Sequence, residues 1–65
     1  MSREEQFETM LNDIQQEYLD VSDKMEALKA AGREKSVTFK QLFARKIALQ
    51  DILIIYKNHG LIDSF

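Results

Sequence analysis

Cysteine and proline are absent from this 65-residue sequence, which also has two glycines and one histidine. Without cysteine the chain forms neither disulfide bonds nor thiolate metal sites, which is compatible with a reducing compartment. Without proline, long helices are not interrupted. The single histidine is not part of a Glu-x-x-His pair, so the sequence gives no basis for a metal centre and we expect no cofactor.

Long apolar runs are also missing. The longest run covers residues 52–56, far short of the roughly 20 residues that a membrane-spanning helix needs. The first six residues are polar and acidic, unlike a secretory signal. Since 45% of the residues are hydrophobic and 31% are charged, the composition is typical of a folded protein rather than a disordered one. We expect a cytoplasmic protein without membrane contact.

The first half of the sequence has the pattern of one long amphipathic helix. Ser2 and Glu5 have the spacing of a capping box, which marks a helix start. Gly32 suits the position just past a helix end. Between them, apolar residues recur at alternating spacings of four and three, as in a coiled-coil seam. They are Phe7, Leu11, Ile14, Tyr18, Val21, Met25 and Leu28. The pattern predicts a first helix over about 3–31.

A polar turn over residues 32–37 separates this helix from a second one. Thr38 and Gln41 offer another capping box, with Val37 and Leu42 placed as a hydrophobic staple around it. Ser36 is the alternative cap, which would move the boundary by two residues. The start of the second helix is therefore predicted near residue 38.

The second helix is predicted to end near residue 59. Gly60 favours a left-handed residue there, with Leu61 folding back onto Tyr56 in a Schellman motif. Residues 60–65 form a short apolar tail. Because the turn is short, the two helices must lie antiparallel. The sequence thus predicts an all-α fold and a single domain over 1–65, an antiparallel two-helix hairpin.

The second helix has more apolar residues than one partner helix can cover. One stripe can face the first helix; it consists of Leu42, Leu49, Leu53 and Tyr56, with Ile52 at its edge. Further apolar residues lie outside this stripe, namely Phe43, Ala44, Ile47, Ala48, Ile54 and Ile55. A helix that is apolar nearly all round is normally buried all round. We therefore predict a homodimer, a four-helix bundle in which the second helices pack together. A different protein on the same face is the alternative.

Charge is distributed unevenly along the chain. Residues 1–28 have eight acidic and two basic side chains, and residues 29–57 have seven basic and two acidic ones. One interpretation is that the opposite charges favour antiparallel pairing of the two helices. The other is a patch for an anionic partner at the turn end, formed by Arg33, Lys35, Lys40, Arg45 and Lys46. A nucleic acid is that alternative partner, although the net charge of −2 and the pI of about 5.2 disfavour it.

Catalytic residues are not indicated by any spacing in the sequence. His59 suits the last turn of a helix as a cation near its negative end. The serines have no histidine placed to activate them. We expect a non-enzymatic interaction module that acts through protein–protein contacts, for example as a regulator or an accessory subunit.

Overall fold

Two helices, α1 and α2, form the computed structural model of the chain, which describes residues 2–63. Helix α1 spans Arg3–Ala30 and α2 spans Val37–Asn58. They pack side by side in a rod of 44 × 24 × 16 Å, close to the length of about 42 Å expected for the 28 residues of α1. The predicted all-helical hairpin is confirmed. Residues 64–65 of the predicted apolar tail lie outside the described residues.

Both helices end in the same way. The amide of Arg33 donates to the carbonyl of Leu28 at 2.8 Å, and the amide of Leu61 donates to the carbonyl of Tyr56 at 3.0 Å. These are the bonds of a Schellman motif, which needs a left-handed residue just past the helix end. Gly32 and Gly60 supply it, with φ of 73° and 72°. The Schellman motif predicted at Gly60 is confirmed, and each helix ends one residue before the predicted position.

The start of α2 differs from the preferred prediction. Ser36, not Thr38, is the N-cap, because its side chain accepts a hydrogen bond from the amide of Phe39 at 3.1 Å. The Ser36 hydroxyl also donates to the carbonyl of Arg33 at 2.8 Å, which ties the cap to the turn. Val37 then becomes the first helical residue and is 71% exposed. The predicted staple between Val37 and Leu42 is therefore wrong.

The core lies between the two helices and is small. Among residues 2–63 the buried side chains are Val21, Met25, Leu49, Leu53 and Tyr56. Partly buried side chains pack against this core, namely Ile14, Tyr18, Phe39 and Leu42. The predicted seam of α1 and the predicted stripe of α2 thus form the contact between the helices. Ile52, predicted at the edge of the stripe, is 38% exposed.

Two residues of α2 that we did not assign to the contact belong to it. Phe39 packs on the core, and Lys46 is half-buried with its ammonium 5.7 Å from the centre of the Tyr18 ring. With them, the residues of α2 that face α1 recur at spacings of three and four along the helix. They are Phe39, Leu42, Lys46, Leu49, Leu53 and Tyr56. This is a full heptad seam in which one position is a lysine.

Candidate interaction surfaces

The side of α2 turned away from α1 carries the six residues predicted to form a dimer interface, which we call the outer face. They are Phe43, Ala44, Ile47, Ala48, Ile54 and Ile55, and each is exposed in the single chain. Phe43 is 51% exposed and Ile55 is 58% exposed. Single exposed apolar residues are common, whereas several on one helix side indicate a surface that another molecule covers.

The outer face is divided into two stripes by polar residues. At about 100° per residue, Lys40, Asp51 and Asn58 share one line along α2. On one side of this line lies the Phe43 stripe, which consists of Phe43, Ile47 and Ile54. On the other side lies the Ala44 stripe, which consists of Val37, Ala44, Ala48 and Ile55. Val37 and the dividing polar line were not part of the predicted interface.

An apolar hollow of about 280 Å³ lies at the open end of the hairpin, opposite the turn. Its lining residues are Phe7, Ile52, Ile55, Tyr56, His59 and Leu61. The Phe7 and Tyr56 rings pack in a tilted arrangement with their centroids 5.4 Å apart. Ile55 belongs to both the hollow and the Ala44 stripe, so the two apolar surfaces are continuous.

The predicted basic patch at the turn end is reduced by contacts within the hairpin. The Arg45 guanidinium forms an ion pair with the Glu17 carboxylate at 2.6 Å, and its Nε donates to the same oxygen at 2.7 Å. Lys46 extends over the Tyr18 ring. Arg33, Lys35 and Lys40 are exposed. Two of the five predicted patch residues therefore contact α1, although Arg45 stays exposed beside its carboxylate partner.

In the hairpin, the uneven charge of the sequence becomes a difference in net charge between the turn end and the open end of the molecule. Residues 17–46, the turn half, carry seven basic and five acidic side chains, a net charge of +2. Residues 2–16 and 47–63, the open half, carry two basic and six acidic side chains, a net charge of −4. The molecule is thus electrically dipolar along its long axis.

Polar groups that could carry chemistry are dispersed. His59 lies just after the last turn of α2, where it is the C-cap residue, and it borders the hollow. The hydroxyl of Ser22 is buried without a hydrogen-bond partner among the described residues. Across residues 2–63, no three histidine or carboxylate side chains converge in a way that could hold a metal ion.

Comparisons with protein-family models, with curated proteins and with solved structures gave no match for this chain. Neither described helix combines the length and the apolar character required to cross a membrane. The outer face and the hollow are therefore the features of the molecule that bear on its function.

Proposed function

We propose that the chain is a small non-enzymatic interaction protein that works as a homodimer in the cytoplasm, with two hairpins joined through the outer face of α2. The observation that carries this proposal is the exposure of Phe43, Ile47, Ile54 and Ile55 on one side of a helix whose other side is already packed. A regulator or an accessory subunit of a larger assembly is the role that such a module suits.

The small core supports the need for a partner. Five buried side chains among the described residues make a minimal core, and chains of this size usually need disulfides, a metal or another chain for stability. Cysteine is absent. A second copy is then the simplest source of additional buried surface.

Magnitudes indicate how tight this dimer is. Each of the four large outer-face side chains contributes about 1.5–3 kcal/mol on full burial, and roughly half of this remains to be gained because they are 38–58% exposed. Two copies together gain about 6–12 kcal/mol, whereas association costs about 4–15 kcal/mol. The gain and the cost are of the same order, so the proposal predicts a dimer that dissociates on dilution.

Replacing Ile47 and Ile54 together with lysine tests the proposal. Two ammonium groups on the Phe43 stripe cannot be buried against a second copy without a large desolvation cost. The double variant is expected to remain helical by circular dichroism and to sediment as a monomer. A variant with unchanged dimerisation would exclude the Phe43 stripe from the interface.

Leu19→Lys is the matched control for this experiment. Leu19 is 54% exposed but lies on α1, on the side turned away from α2. Since the change introduces one lysine at a similarly exposed apolar position, it separates the effect of the outer face from a general effect of a surface lysine. The control is expected to dimerise as the wild type does.

A nucleic acid, the alternative partner, has less support. Arg45 and Lys46 are directed at Glu17 and Tyr18, and the exposed residue Glu34 lies within the turn beside the remaining basic side chains. Salt-dependent retention on DNA or RNA that is lost in a Lys40→Glu, Arg45→Glu variant would favour this alternative.

A further inference from the structure

We propose that the two hairpins of the dimer lie antiparallel, so that Val37 at the turn end of one copy covers the open-end hollow of the other. This inference rests on the homodimer proposed above and adds its orientation. A two-fold axis crossing α2 between residues 49 and 50 generates the arrangement. The turn of each hairpin then lies beside the open end of its partner.

The sizes of the side chains along the Ala44 stripe favour this orientation. Ala44 and Ala48 lie nearer the turn, whereas Ile52, beside the stripe, and Ile55 lie nearer the open end. In an antiparallel pair, Ala44 meets Ile55 of the second copy and Ala48 meets its Ile52. A parallel pair places alanine against alanine at one end and isoleucine against isoleucine at the other. Because protein interiors are close-packed, the alternation of small and large side chains fills the contact without a gap.

Charge favours the same orientation. The turn half has a net charge of +2 and the open half a net charge of −4. An antiparallel dimer places each turn half beside the oppositely charged open half of the partner, whereas a parallel dimer joins halves of like sign. Lys40 lies within the face itself, so parallel packing would also bring two Lys40 side chains together. Complementary charge of this kind chiefly selects one orientation over another.

This arrangement accounts for two exposed apolar features, namely Val37 at the turn and the hollow at the open end. Val37 is 71% exposed and Leu61, which lines the hollow, is 53% exposed. Val37 and Ile55 are 18 residues apart, which is about five turns, so they lie on the same line of α2. About the proposed axis, Val37 falls level with the chain just past Asn58 of the second copy, where His59 and Leu61 line the hollow. An apolar side chain at the turn is thus placed over the apolar hollow at the open end.

Cysteine cross-linking tests the orientation, since the wild-type chain has no cysteine. Ala48→Cys lies next to the proposed axis and should form a disulfide with Ala48→Cys of the second copy in either orientation. This disulfide shows that the dimer forms through the outer face. In the antiparallel dimer two Ala44→Cys residues are about 16 Å apart along the helices, beyond the roughly 7 Å between Cα atoms that a disulfide spans. Ala44→Cys alone and Ile55→Cys alone should therefore form no disulfide under oxidation. An equimolar mixture of the two should give the mixed disulfide, identified by its mass.

The outcomes separate the two proposals. Absence of a disulfide from Ala48→Cys contradicts the dimer through this face and the orientation with it. A disulfide from Ala48→Cys together with self-cross-linking of Ala44→Cys contradicts the orientation and leaves the dimer in place. Lack of the mixed Ala44–Ile55 disulfide beside a cross-linked Ala48→Cys also overturns the orientation.

A Val37→Lys variant gives a second readout. Val37 is exposed in the single hairpin, so the change should leave the helical content unaltered. It should weaken the dimer about a hundredfold, because the two-fold dimer loses two Val37 contacts and each aliphatic contact is worth about tenfold. An unchanged dissociation constant would overturn the contact between Val37 and the hollow.

Discussion

Lys46 is a residue of the contact between the helices that the apolar pattern of the sequence does not reveal. It occupies a seam position on α2, but its charge interrupts the apolar heptad in the sequence, and we placed it in a basic surface patch. In the structure the residue is half-buried and its ammonium lies 5.7 Å from the centre of the Tyr18 ring. Long cationic side chains often bury their methylene groups while the charged end stays near solvent. Charge alone therefore gave the wrong surface for this residue.

Replacing Lys46 with methionine should stabilise the hairpin. Methionine keeps the unbranched stem and adds apolar burial in the seam, which outweighs a cation–π contact worth about 0.5–1 kcal/mol at an exposed site. We expect the unfolding free energy to increase by about 1 kcal/mol, measured by denaturation monitored by circular dichroism at fixed protein concentration. Lys57→Met, at an exposed position, is the control and should change stability little. A loss of stability in Lys46→Met would contradict the seam position of Lys46.

The helices themselves were predicted well from local chemistry. Their ends are determined by short-range signals, namely a capping serine before each start and a left-handed glycine after each end. The start of α2 was harder to predict, because Ser36 and Thr38 are both residue types that favour the N-cap position. The bond between the Ser36 hydroxyl and the Arg33 carbonyl depends on the conformation of the turn. Sequence spacing does not reveal that conformation.

Alanine substitution at the two candidate caps tests which of them is used. Ser36→Ala removes the oxygen that accepts from the Phe39 amide and should lower the unfolding free energy by about 1 kcal/mol. Thr38→Ala changes an exposed residue inside the helix and should leave stability unchanged or slightly raised. Thermal denaturation of both variants at one protein concentration distinguishes them. The reverse order of stabilities would show that Thr38 is the cap.

The rotation of α2 about its own axis was only partly predictable. Because α2 is apolar on several sides, its sequence does not determine which residues face α1. The narrower apolar seam of α1 determines which side of α2 is buried, and that side is the line of residues from Phe39 to Tyr56. Once this line is fixed, the outer face and the dividing line of Lys40, Asp51 and Asn58 follow. The six residues predicted as the interface are exposed in the single chain, whereas the inclusion of Val37 follows only from the observed start of α2.

The whole molecule is a hairpin with a small core, a large exposed apolar side and opposite charge at its two ends. The first two properties favour association, and the third favours one orientation of the associated copies. No single residue provides these properties. They arise because the chain reverses at Gly32, which places the basic middle of the sequence at one end of the hairpin and its acidic start at the other. Dimerisation through the outer face remains the prediction on which the proposed function depends.

Sedimentation equilibrium of the wild-type protein over a dilution series examines that prediction directly. The mass should approach twice the chain mass of 7.6 kDa at high concentration and should fall towards the chain mass on dilution, as a closed two-fold dimer of modest affinity requires. A mass of 7.6 kDa at every concentration, or one that rises beyond the dimer without limit, would contradict it.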